Sequence, residues 1–261
     1  MLSTRVASTF VVVTVLAVCV GLLIGYGAAP ERQGSPQALV PFAAQRNELH
    51  YGPRDSQPRA DLLRSIARRS DGSTVDRFTG VSPTGEHAEY VTITDLRKGI
   101  EVRTEPFTRS VTSLYLSGAE VAARRAAEDA CQDDDVRAAL AVHSPVERPE
   151  LVLGHTVVRV DLQPDQKWHI SSWVAPALNC LEMRREDHWS DGAHNEAEIT
   201  QLEQGEPREK LFELPSGYVE RSPAEVEAAY TAKYPGKSFW GERTATRLET
   251  RYRSHLANRP N

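Results

Sequence analysis

Residues 70–110, SDGSTVDRFTGVSPTGEHAEYVTITDLRKGIEVRTEPFTRS, decide the fold. Ser70-Asp71-Gly72-Ser73 reads as a turn, because an Asp side chain bonds its own backbone and Gly supplies positive φ. Thr74 to Val81 is then a candidate strand, and Pro83-Thr84-Gly85-Glu86 turns it. Glu89 to Thr94 follows, rich in the β-branched residues that suit a pleated surface. Arg97-Lys98-Gly99 turns into Ile100 to Thr104, and Pro106 to Arg109 turns again into Val111 to Leu116. Short strands at regular spacing with polar turns describe an antiparallel meander.

Toward the C-terminus two helices interrupt the strands. Ser117 and Glu120 form a capping box before an Ala-rich stretch. Asp133, Asp134 and Asp135 precede Val136 to Leu140, where carboxylates favour a helix N-terminus. Strand patterns resume at Leu151–Gly154, Thr156–Leu162, Lys167–Val174, Cys180–Arg184 and Glu196–Leu202. Ser222 and Glu225 make a second capping box with Pro223 at the first helical position, and Pro235-Gly236 stops that helix. Trp240 to Leu256 is helix-compatible, but its sparse apolar positions predict a loosely docked extension.

Toward the N-terminus, Leu62, Leu63 and Ile66 fit either a short helix or the first strand. Residues 30–58, rich in Pro, Gly, Gln and Arg, read as a linker. Val6 to Ala29 carries no charge and exceeds the roughly 20 residues that cross a bilayer. Arg5 before that run favours a cytoplasmic N-terminus, which would leave the body outside. A cleaved signal peptide and a lipoprotein signal at Cys19 are the competing readings. All three place the body outside the cytoplasm.

The expected organisation is a single-pass anchor in the inner membrane at residues 1–29, a linker at 30–58, an antiparallel β domain with a helical insertion at 59–220, and a helical extension at 221–261. The chain's 261 residues carry a net charge of −5, which offers no electrostatic footprint for nucleic acid. With Cys19 in the apolar run, Cys131 and Cys180 remain as a candidate disulfide in a compartment that permits one, the alternative being two buried thiols.

The middle of the chain resembles a known group. Residues 70–110 resemble the first half of an exported protein family abundant in acidobacteria. LVLGHTVVRVDL (151–162), SSWVAPALNCLEMRRED (171–187) and ITQLEQGEPREKLFELPSGY (199–218) resemble its second half. The GEP…LF.LP.GY stretch carries most of the likeness. Thr94-Asp95-Leu96 lacks that family's usual proline, and Glu206-Pro207-Arg208-Glu209 lacks its second Asp-Pro. The family's shape is similar to the curved antiparallel half-barrel of the bacterial lipoprotein carrier (LolA-like) and the related envelope-stress regulator (RseB-like). The resemblance implies an α+β fold whose concave face holds a lipid chain, a lipoprotein or an envelope protein partner.

Motifs for chemistry are sparse. No G-x-S-x-G nucleophile elbow is present. A thiol–imidazole pair of Cys180 with His169 or His188 would be lost to a disulfide. His188, Asp191 and His194 match no zinc spacing. No catalytic residue, cofactor or metal is expected. Tyr90, Trp168 and Trp173 are the candidates for lining an apolar ligand cavity, with ordinary core packing as the competing reading. Trp168 and Trp173 are an odd number of positions apart, so in one regular strand they face opposite sides. Arg64, Arg68 and Arg69 are candidates for anionic headgroups, against a solvated face. The expected function is a non-catalytic periplasmic module for an apolar ligand or envelope partner, with a regulatory sensor as the alternative.

Overall fold

In the computed structural model, residues 38–142 and 150–256 are described. The anchor expected at residues 1–29 and the start of the linker fall outside the described residues. Among those described, no helix is long and apolar enough to cross a membrane.

Two meanders meet at one central pair of strands. The first comprises β1 (Phe42–Tyr51), β2 (Ala60–Arg68), β3 (Thr74–Val81), β4 (His87–Asp95), β5 (Ile100–Glu105) and β6 (Ser110–Tyr115). Helices α1 (Gly118–Ala127) and α2 (Asp134–Val142) follow. The second meander comprises β7 (Glu150–Val152), β8 (His155–Asp165), β9 (Trp168–Ala175), β10 (Leu181–Trp189) and β11 (His194–Gln204). The chain closes with β12 (Val219–Glu220), α3 (Pro223–Lys233) and α4 (Glu242–Leu256). The sheet order is β12-β6-β5-β4-β3-β2-β1-β11-β10-β9-β8-β7, antiparallel except for β12 on β6. It is a curved, unclosed sheet in an α+β fold.

The linker reading is corrected: Phe42–Tyr51 is the central strand, paired to β2 on one side and β11 on the other. Its pattern hid because Phe42 and Ala44 are buried while Arg46 and Glu48, next on the same face, are charged. Residues 60–68 form a strand, not a helix; β2 finds its hydrogen bonds across β1 and β3. The two capping boxes form at Ser117–Glu120 and Ser222–Glu225. Asp133 accepts from the N–H groups of Asp135 and Val136 at the start of α2.

Helices pack on the flanks. Val136, Ala139 and Leu140 of α2 cover Val158, Val160 and Val174. Helices α3 and α4 pack on β6 and on each other. The terminal helix is therefore docked rather than loose: Leu248 is buried, Arg251 pairs with Glu120 at 3.0 Å, and Glu249 accepts from the Ala224 N–H. The opposite face of β2–β6 buries Ala67, Val75, Val91, Ile93, Val102 and Val111. Burying a side chain of Val or Ile size contributes about 1.5–3 kcal/mol.

That apolar face is covered by the GEPREKLFELPSGY stretch, which runs across it as a strap. Leu211, Phe212 and Tyr218 pack onto the cluster, and the Leu211 and Glu213 carbonyls accept from Arg77. The Arg69 guanidinium lies 3.8 Å from the Phe212 ring centroid. Glu206 accepts from Ser70, fixing the strap's start.

Cys131 and Cys180 form a disulfide with Cα atoms 5.1 Å apart. It ties the segment between α1 and α2 to the β9–β10 connection. Arg68 reinforces the junction by donating to the carbonyls of Val40, Glu128 and Leu178. Arg68 and Arg69 are thus buried structural groups, not headgroup ligands.

Candidate functional site

Register places Arg46 and Glu48 of β1 on the same face as Arg64 and Leu62 of β2, Asp76 and Phe78 of β3, and Arg185 and Asp187 of β10. These charged groups are largely shielded although the helices pack only at the flanks; Arg46 and Glu48 are 18% and 13% exposed. Shielding without a covering layer marks this as the inside of the curve.

The inner face carries a continuous ladder of ion pairs. Arg64 bridges Asp76 at 2.8 Å and Glu48 at 2.9 Å. Arg46 bridges Glu48 at 3.2 Å and Glu182 at 2.9 Å. Arg185 continues to Glu182 at 3.7 Å and to Asp187 at 2.9 Å. Ser172 donates to Glu182, and the Trp168 indole donates to Asp187 at 3.1 Å. Between β1 and β10 lies β11, whose Ala197 stands opposite both Glu48 and Arg185. Arg46 itself stands opposite Ile199 and reaches Glu182 on the far side of that strand.

Electrostatics here are set by partial burial. Desolvation pushes the Asp76 carboxyl above its ordinary value, although the Arg64 charge and hydrogen bonds oppose it. Arg64 is desolvated as well, yet Asp76 and Glu48 together hold its pKa above the usual value. The Nε–H of Arg46 lies close to Glu48 but makes no hydrogen bond, leaving one buried donor on this face.

Aromatic groups stand at both ends of the ladder. Phe78 stacks on Tyr90 at 5.0 Å, with the Arg64 guanidinium 5.1 Å from the Phe78 ring centroid. Trp168 stacks on Trp189 at 6.2 Å.

The three aromatic candidates are not brought together. Tyr90 is packed among Phe107, Tyr230, Tyr234 and Phe239, under α3 and the turn after it. Burial there raises its phenol pKa strongly. Trp168 lies on the inner face beside Asp187. Trp173, 5% exposed, faces the other way and fills the core, donating to Glu150 with Arg159 and Arg184 over its ring. The expectation that Trp173 lines a cavity is corrected, and Tyr90 is a packing residue.

Two concavities lie away from the inner face. An open groove of about 760 Å³ separates α3 from α4 and is lined by Ala224, Ala228, Thr231, Ala245 and Thr246 among others. A recess of about 160 Å³ sits beside Asp71, Leu96 and Arg97.

Ser171, His169 and Asp161 also meet, a grouping that sequence spacing did not reveal. Ser171 donates to Asp161 at 2.7 Å and lies 3.3 Å from His169 Nε2. A hydrolytic triad needs an accessible serine whose base is in turn oriented by the acid. Ser171 is 2% exposed, and its proton goes to the acid instead of the imidazole. Burial tends to raise the Asp161 carboxyl, but hydrogen bonds from Ser171 and Arg159 outweigh it and hold the pKa low. The group acts as a sheet-surface network.

No family model matches the chain, and no curated protein matches it. Among solved structures, an uncharacterized conserved protein from Thermus thermophilus is 9% identical, with a TM-score of 0.42 over 70% of this chain and 91% of that one. The MucA/MucB complex of Pseudomonas aeruginosa is similar at 15% identity and a TM-score of 0.40, over 70% of this chain and 59% of that one. A LolA superfamily protein from Nitrosomonas europaea is similar at 10% identity and a TM-score of 0.32, over 67% and 90%.

Proposed function

We propose that the chain is a membrane-tethered, extracytoplasmic binding module without catalytic activity, and that its inner face receives a segment of a protein partner. The observation that carries this reading is the ion-pair ladder. An acyl chain laid across it would strip water from three guanidinium groups and four carboxylates, at a cost of several kcal/mol per poorly compensated ion. A polypeptide brings its own amides and carbonyls, which can replace the water that the ladder's charged groups give up. The aromatic ends, Phe78 and Trp168 with Trp189, suit apolar side chains of such a segment.

The Cys131–Cys180 disulfide and the uncharged Val6–Ala29 run support the extracytoplasmic placement and the tether. The disulfide also removes both thiols of the body as nucleophiles.

Native mass spectrometry on the full chain, extracted from membranes in mild detergent, separates the two kinds of occupant. The expected spectrum lacks a stoichiometric adduct that organic solvent releases. A defined amphiphile bound one to one would overturn the protein-partner reading in favour of a carrier.

A further inference from the structure

The outer face of β10 and β11 holds a second concentration of donor side chains. Register sets His188 directly opposite His194, and Glu186 directly opposite Glu196. Residues two apart on a strand share a face, so two imidazoles and two carboxylates occupy the corners of one box. Like charges directly across strands destabilise a sheet. Glu186 is partly relieved by Arg184 and by His188, whereas Glu196 has no ion pair among the described residues. A cation over the box would neutralise both carboxylates.

The distances suit a borderline metal ion. His188 Nε2 and Glu186 Oε2 are 3.5 Å apart. Ligands at about 2.1 Å in tetrahedral geometry lie about 3.4 Å from one another. The His188 and His194 rings are 5.8 Å apart between centroids and 16° from parallel. Two imidazoles on one tetrahedral metal have centroids about 5.2 Å apart, a small closure for the exposed His188 and the half-buried His194. Tyr51 stacks on His194 at 4.2 Å and limits that ring's freedom on its other side. Among the described residues no three donors already converge, so binding requires His194 to turn toward His188. His169 stands opposite His188 on the far side, but its Nε2 is engaged by Ser171 and Asp161.

We propose that Glu186, His188, His194 and Glu196 bind one divalent metal ion of the zinc class. Two imidazoles favour such an ion over calcium or magnesium, which take oxygen ligands. The site is independent of the inner face and of what binds there.

The test is zinc titration of the untagged full chain against a chromophoric chelator. One zinc ion per chain is expected at neutral pH. Binding should weaken as pH falls, because protons compete with the metal for the ligating nitrogens. His188→Ala and His194→Ala should each weaken binding by about tenfold or more, while His169→Ala stays within about twofold, as expected for lost ligands and a non-ligand. Circular dichroism of each variant keeps loss of fold apart from loss of a ligand. Absence of stoichiometric zinc, unchanged affinity in folded His188→Ala, or equal competition by calcium would each overturn the proposal.

Discussion

Replacing Arg46 by Met probes the ladder at its narrowest point, the crossing over β11. Arg46 holds Glu48 at 3.2 Å and Glu182 at 2.9 Å, and all three are shielded by curvature. Removing one partner of a fully buried pair costs about 3–5 kcal/mol, and an exposed pair contributes about 0–1 kcal/mol. This site lies between those limits, because Glu48 keeps Arg64 and Glu182 keeps Ser172 and the more distant Arg185. The expected loss is about 2 kcal/mol, or about 4–8 °C in Tm for a domain of this size. Replacing Glu182 by Leu as well removes the stranded carboxylate, so the double variant should recover about 1 kcal/mol relative to additivity. Urea unfolding of the four proteins in the cycle supplies both numbers. A single-variant loss under about 0.5 kcal/mol with no coupling would mean that the ladder is a loose surface arrangement, and the argument from its desolvation would fail.

Further outcomes follow from the same geometry. Replacing Cys131 and Cys180 by Ser opens a loop set by their separation of 49 residues, and equilibrium unfolding should show a loss of about 4 kcal/mol. Gly80→Ala should destabilise by about 1–3 kcal/mol, because a Cβ there would meet the Tyr90 ring at 2.3 Å; near-ultraviolet circular dichroism should report the disturbed aromatic cluster. Trp173→Ala should cost about 3–5 kcal/mol in urea unfolding as a core truncation, and Trp168→Ala clearly less. Asp76 has a folded pKa raised by burial, so its contribution is full below the unfolded value of about 3.9 and is lost as pH rises through the folded value. The stability of the wild type minus that of Asp76→Asn should therefore fall over that rise; an increase would contradict the burial assignment.

Much of the fold was legible because the outer meanders follow simple rules. Thr74–Val81 is bounded by turn residues and coincides with β3, and both capping boxes sit where their Ser and Glu spacing requires. The central strands were hard to read for the reason that makes them interesting. In β1, inward positions alternate Phe42, Ala44, Arg46, Glu48, so the period-two signal breaks where the inner face becomes ionic. In β2, adjacent Leu62 and Leu63 imitate a helical face although they point to opposite sides. The ladder itself joins residues 46, 64, 76 and 182, contacts that exist only once strand register is set. Trp168 lies on the inner face, while Trp173 and Tyr90 show that strand aromatics serve packing when helices or opposing clusters cover them. The box of His188, His194, Glu186 and Glu196 was half visible as neighbouring histidines, but its carboxylates emerge from the β10–β11 pairing.

Photo-crosslinking from the inner face tests the central claim most directly. Leu62, which stands opposite Glu48 inside the curve, is replaced by a photoreactive amino acid in the full chain expressed in cells; Leu63, outward and 60% exposed, serves as the control. The account predicts one discrete protein adduct from position 62, absent from position 63 and diminished when Arg46 is also changed to Met. Lipid adducts alone at position 62, or the same adduct from both positions, would contradict it.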